Sequence, residues 1–212
     1  RSSIEQQLTD IKNKVTQRIE LDESYNTLIS LLSKAEEIKN PRIISNVLNE
    51  LSYAAFYLKK DSEMERIMST YLERQDIDIR ETALVNTALI TMNGYISTGD
   101  DVEKEKTIKF LNRALKRVND YGEALGLKLE LFMIEYEKEV KENEKQLIKN
   151  EINILIQQIL KSNIASFETI QRFERVQKSA AKSEYIELIY KMFPVEMEKM
   201  KSISKDYKIN KG

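Results

Sequence analysis

Apolar residues return at i, i+3, i+4 and i+7 along nearly the whole chain, the spacing that turns one face of an α-helix toward a core. The first run, Ile4, Leu8, Ile11, Val15 and Ile19, predicts a helix, and Ser3 with Gln6 has the form of a capping box at its start. A second, after Asp22, carries Leu28, Leu31, Leu32, Ala35 and Ile38. It is expected to end at Asn40-Pro41, because a proline ring disfavours helical geometry in the residue before it. Ile44, Val47, Leu48, Leu51, Ala55 and Leu58 make a third helix that stops near Lys60-Asp61. Ser62 and Glu65 repeat the capping-box pattern ahead of Met64, Ile67, Met68, Tyr71 and Leu72. The fifth helix runs from about Ile79 to Thr98 and is closed by Gly99, since glycine most easily takes the left-handed turn after a helix. The sixth, with Ile108, Leu111, Ala114, Leu115 and Val118, stops before Gly122.

The seventh pattern, about Glu123 to Asn143, is apolar nearly all round between Leu125 and Ile134, so that helix is expected to be surrounded by others. Ile152, Leu155, Ile156, Ile159 and Leu160 mark an eighth. Ser166 is the expected cap of a ninth, through Ile170, Phe173 and Val176, and Tyr185 to Phe193 form a tenth that stops or kinks at Pro194. Ten helices with short connections read as five hairpins. Leu32, Leu72, Leu115 and Leu155 hold similar places in the second helices, at intervals of 40, 43 and 40 residues. That period predicts an all-α, right-handed solenoid of about five helix hairpins, in which each hairpin buries its apolar face on its neighbours. An irregular bundle or a coiled coil is the competing arrangement, although breaks at Pro41, Gly99 and Gly122 interrupt any long heptad seam. One helical-repeat domain is expected over residues 1–200, followed by a polar, frayed tail over 201–212.

Composition narrows the chemistry. Among 212 residues there is no His and no Cys, which excludes Ser-His-Asp and Cys-His nucleophiles, His/Cys zinc sites and disulfides. Acid–base work would fall to carboxylates, Lys or Tyr, and any metal to oxygen ligands. The 34 Lys+Arg against 35 Asp+Glu leave a net charge of −1, without the basic footprint of a chain that grips phosphate backbones, so no direct nucleic-acid contact is expected. At 41% hydrophobic and 33% charged, the chain is expected to be globular and soluble. It holds no run of the roughly 18 to 20 apolar residues that spans a membrane, and the Arg1-Ser2-Ser3 start has no signal-peptide stretch behind it. A chain without an initiator Met is expected to be processed or to be a piece of a longer one, and a cytoplasmic location fits the absence of Cys.

Residues Ile90 to Asp100, followed by Thr107 to Leu115, resemble a tetratricopeptide repeat. Tyr95, the Gly99-Asp100 turn and Ala114-Leu115 fall in that family's order, with about three extra residues before the second helix. The other hairpins lack the family's Trp, most of its small residues and its terminal Pro. With Asp78 to Leu89 at the centre, the layout also resembles the C-terminal sensor domains of peptide-pheromone-responsive bacterial regulators of the Rgg and PlcR type. That resemblance implies a dimeric repeat domain that binds a short intracellular peptide on its concave surface, for the sake of a helix-turn-helix that binds DNA. No helix-turn-helix pattern precedes Ile4 here.

On a helical wheel, Asn46, Asn49, Tyr53 and Tyr57 fall within about 40° of one another, opposite the apolar face of the third helix. The fifth helix repeats this with Thr82, Asn86, Ile90, Asn93 and Ser97, away from Leu84, Ala88, Met92 and Tyr95. In a chain one-third charged, two uncharged polar stripes call for a reason. An Asn amide both donates and accepts, so a row of them can hold the N–H and C=O of an extended peptide, while Ile90 and Tyr53 select side chains. Equally, these amides can bond to neighbouring helices or face water. Lys128, Glu135 and Glu139 share a face of the seventh helix and could meet a peptide terminus, although the Glu/Lys alternation there also suits a solvated helix. Tyr185, Ile186, Ile189, Tyr190, Met192 and Phe193, beside Met197 and Met200, are either core or a homodimer surface.

The expectation is therefore a non-enzymatic peptide-binding sensor domain of a cytoplasmic, quorum-sensing-type regulator, without cofactor or metal. Its site is placed at Asn46, Asn49, Tyr53, Asn86, Ile90, Asn93, Lys128 and Glu135. A protein–protein scaffold built on the same surface is the alternative, and an oxygen-ligand metal enzyme a third.

Overall fold

The computed structural model describes residues 2–178 and 183–211, with side-chain surroundings for 4–178 and 184–211. The Ser3 cap expected of the first helix lies outside these described side chains. All regular structure among the described residues is α-helical. In chain order the helices are α1 (Ser2–Thr16), α2 (Leu21–Glu37), α3 (Pro41–Tyr57), α4 (Asp61–Tyr71), α5 (Glu81–Thr98) and α6 (Asp101–Arg117). They continue as α7 (Gly122–Lys138), α8 (Glu142–Leu160), α9 (Asn163–Gln177), α10 (Ser183–Met192) and α11 (Pro194–Lys211). The chain divides into two compact units, Arg1–Phe110 and Leu111–Gly212, with the boundary inside α6.

In the first unit, three helix ends share one device. After α1, α2 and α3 the backbone turns left-handed at Arg18, Lys39 and Lys59, with φ of 56°, 52° and 58°. At each end two N–H groups reach back to carbonyls that would otherwise be orphaned. They are Arg18 to Val15 and Ile19 to Lys14, Lys39 to Glu36 and Asn40 to Ala35, and Lys59 to Phe56 and Lys60 to Ala55. This is the Schellman closure, usually made with glycine and here made with long cationic residues. It explains how five glycines suffice for so many turns. Asn40 then caps α3, its side-chain oxygen accepting the Ile43 N–H at 3.2 Å, with Pro41 at the first helical position. Gly99 closes α5 at φ 70°, as its position predicts.

Two other cap expectations are corrected. The α4 helix starts at Asp61, so Ser62 is already inside it, and no side chain caps that end. The cap of α9 is Ser162, accepting from Ala165 N at 3.2 Å, whereas Ser166 is buried and donates to the Ile159 carbonyl. The α4–α5 connection carries two buried anchors, Ile77 and Ile79, which join Leu48, Leu51, Met64, Met68 and Leu84 in the core. Between α5 and α6 the buried hydroxyls of Thr91 and Thr107 bond each other at 2.6 Å.

In the second unit α7 packs against α8, α9 and α10. Its Leu125, Leu127, Leu129, Leu131, Met133 and Ile134 are buried, as an all-round apolar helix requires. It ends at Lys138 rather than Asn143, because Glu139 Oε1 accepts the Val140 and Lys141 N–H groups, each at 3.0 Å, and turns the chain into α8. Gly122 is the first residue of α7 as well as the break before it, and α9 crosses close over it. A Cβ there would lie 2.9 Å from the Ala165 carbonyl oxygen. Glu168 of α9 accepts the Gly122 N–H at 2.7 Å, placing a carboxylate at the positive end of the α7 dipole. The apolar residues singled out on α10 and at the start of α11 are core, whereas Val195 and Ile209 of α11 are exposed. Ile186, Ile189, Phe193, Met197 and Met200 are buried, with Tyr185, Tyr190 and Met192 packed against them. They do not form the open self-association face considered for them. Residues 201–211, expected as a frayed tail, continue α11 as a helix packed against α8 and α9.

Candidate functional site

The polar side of α3 meets the segment that links α4 to α5. Asn49 is 6% exposed, and its amide donates to the Asp78 carbonyl at 3.2 Å while its oxygen accepts the Arg80 N–H at 2.9 Å. Ser45 Oγ accepts the Asp78 N–H at 2.8 Å, and the Tyr53 hydroxyl lies 2.7 Å from Thr82 Oγ1. Asn49 and Ser45 hold the N–H and C=O groups of a segment whose Arg80 is extended, the chemistry expected for a peptide ligand. The segment they hold is the protein's own. Burial of Ile77 and Ile79 withdraws the backbone around them from water, and buried backbone polar groups need partners. Asn49 and Ser45 are committed to that duty, and Tyr53 is tied to the Thr82 hydroxyl of α5, which alters the expectation of an unoccupied amide stripe on α3.

Asn46, one turn before, is exposed. It lines a cleft of about 190 Å³ between α1 and α3, with Leu8, Thr9, Lys12, Asn49, Glu50 and Arg80. Glu50 is the unexpected member. The residue is 7% exposed, and it forms no hydrogen bond or ion pair with any described residue. Burial pushes its carboxyl above the ordinary range, and the charges of Lys12 and Arg80 pull it back in part. Composition offered a signal for it, because Glu50 is the sole carboxylate of α3 and sits four residues after Asn46 on the polar side.

On α5, Leu84, Ala88, Met92 and Tyr95 are buried, and the opposite stripe divides by exposure. Asn86 and Ile90 are half-buried and Asn93 is exposed. Lys128 and Glu135 belong to the second unit, both half-buried on α7. Lys128 Nζ donates to Asn112 Oδ1 at 3.2 Å, and burial holds its amine below the usual lysine range, with Glu151 acting in the opposite sense. Lys128 lines a second cleft of about 260 Å³ with Phe132, Glu151, Ile154, Leu155 and Gln158. Among the described residues no three acidic side chains converge as they would around a metal ion, and no helix is long and apolar enough to cross a membrane.

The chain matches no family model, no curated protein and no solved structure.

Proposed function

We propose that this chain is a non-enzymatic peptide-recognition domain of stacked helical hairpins, with the α1–α3 cleft as its principal site. The observation that carries this reading is Asn49, whose side chain already grips both an N–H and a C=O of the 78–80 segment. Asn46 presents the same amide chemistry one turn away, at the open cleft. In the first unit α3 packs against both α1 and α5, the alternate-helix adjacency that a stack of hairpins requires, and this supports the repeat arrangement. Asn86, Ile90 and Asn93 on α5 extend the proposed surface; Lys128 and its cleft make a separate candidate contact.

Selection from a randomised heptapeptide display library, followed by calorimetry on the selected sequence, tests the reading. Saturable binding that weakens at least tenfold in Asn46→Ala, with helicity unchanged, is the expected result. Unaltered affinity in both Asn46→Ala and the Asn86→Ala/Asn93→Ala double variant would remove the site.

The wider proposal follows the pheromone-regulator resemblance. Peptide binding would shift the geometry of a cytoplasmic homodimer and so control an attached DNA-binding domain. Light scattering with and without the selected peptide tests the pairing, and a helix-turn-helix encoded ahead of Arg1 in the parent gene tests the connection. A second reading, a scaffold that docks a folded partner, is favoured by α8. Leu147 and Ile154, seven residues apart on one face, are 57% and 68% exposed. Charge placed at both positions would abolish capture of such a partner and leave peptide binding intact.

A further inference from the structure

A carboxylate set largely below the surface with no protein group donating to it gains most from a ligand that supplies a donor. Glu50 is in that position: the residue is 7% exposed, no described group hydrogen-bonds it, and its oxygens meet the outside only through the cleft it lines. The groups around it restrict what the partner can be. Its cleft is also lined by Lys12 and Arg80, so a ligand bearing only positive charge would be repelled at the mouth as it approached Glu50. A ligand bearing only negative charge would meet the two cations favourably but leave Glu50 worse off. A zwitterionic group satisfies all three. The volume, about 190 Å³, suits one amino-acid residue rather than a drug-sized molecule, for which roughly 300–1000 Å³ is usual.

We infer that the α1–α3 cleft is a subsite for a primary ammonium carried beside a carboxylate, with Glu50 receiving the ammonium and Lys12 and Arg80 the carboxylate. The inference rests on the peptide reading and sharpens it. The group bound is the free amino terminus of a peptide with an acidic residue at its start, and Asn46 stands beside the cleft to hold the next peptide unit. The ammonium gives Glu50 the charge-assisted hydrogen bonds it lacks. The same chemistry is available from a free acidic amino acid, and the test separates the two.

The probes are Asp-Leu-Leu-amide, its N-acetyl derivative and free L-aspartate, each titrated to millimolar concentration into the full chain and followed by amide chemical shifts. The expected result is saturable shifts at Leu8, Thr9, Lys12, Asn46 and Glu50 with the free-amine peptide. Affinity should fall at least tenfold on acetylation, at least tenfold in Glu50→Gln, and severalfold in Arg80→Gln. If Glu50→Gln fails to fold, the acetylation comparison on the unaltered chain decides alone. Equal binding of acetylated and free peptide overturns the ammonium assignment and leaves the peptide reading standing. L-aspartate binding as tightly as the tripeptide upholds the subsite and overturns the peptide reading. The absence of shifts with all three probes overturns the subsite.

Discussion

Arg172 of α9 donates from Nε to Glu130 Oε2 of α7 at 2.6 Å, with the two side chains only 10% and 6% exposed. The guanidinium also lies 3.8 Å from Glu123, which pairs with Arg175. Gly126 allows the crossing, since a Cβ there would stand 3.3 Å from Arg172 Cδ. Two desolvated charges hold each other in place, and removing either one takes from the other its shortest charged contact. Arg172→Met should therefore lower unfolding stability by about 3 kcal/mol, and Arg172→Met with Glu130→Leu should recover most of the loss. Urea denaturation of the two variants checks this. A double variant no better than the single would mean that the ion pair itself, rather than the cost of a buried carboxylate facing a methionine, carries the stability.

Gly122 is constrained more tightly than a helix start usually is. Its N–H is held by Glu168 and its missing side chain leaves space that α9 occupies. Gly122→Ala would gain helix propensity in an isolated peptide, yet in the protein it should cost about 1–3 kcal/mol, because the new methyl meets a backbone carbonyl that cannot swing aside. Thermal unfolding decides between these opposite signs.

At Lys39 and Lys59 the sign reverses. A non-glycine residue in the left-handed region costs about 1–2 kcal/mol, while glycine adds roughly 0.5–1 kcal/mol of unfolded-chain entropy to be lost. Both positions have left-handed φ and both close helices through backbone bonds alone. Lys39→Gly and Lys59→Gly should each stabilise the chain by about 0.5 kcal/mol, read as a higher urea midpoint at unchanged slope.

Glu50 predicts a pH dependence. Its carboxyl is raised in the folded chain by burial, against the pull of Lys12 on α1 and Arg80 ahead of α5. Between the unfolded and folded values the native state binds more protons than the unfolded one, so this contribution to stability falls as pH rises through that window. Glu50→Gln should remove that slope and, at neutral pH, make the unliganded chain more stable by about 1 kcal/mol. Stability of the two proteins measured from pH 4 upward, on the order of the carboxylate range and beyond, checks both statements. Parallel curves would mean that the carboxylate is better solvated than its burial implies.

Much of the helical order is legible in the chain because it is written locally. Leu84, Ala88, Met92 and Tyr95 share a buried face at helical spacing, Gly99 takes the left-handed turn, and Pro41 opens a helix wherever that chain segment goes. The surrounded α7 followed from the same reasoning, since a stripe with no polar side has no place to face water. Left-handed turns at Arg18, Lys39 and Lys59 escaped, because no residue type marks a helix end whose closure lies entirely in backbone bonds.

What folding alone decided is which distant residues meet. The amide of Asn49 could be recognised as a holder of extended backbone, but only the arrival of residues 78–80, brought by the burial of Ile77 and Ile79, determined whose backbone it holds. Gly122 reads locally as a break, and its closeness to α9 depends on a helix some forty residues later. Glu50 looks like one more surface carboxylate until α1 and Arg80 close around it and leave it without a donor. Periodicity within one helix is a short-range property of the chain, whereas solvation and partnership are properties of the space the other helices enclose.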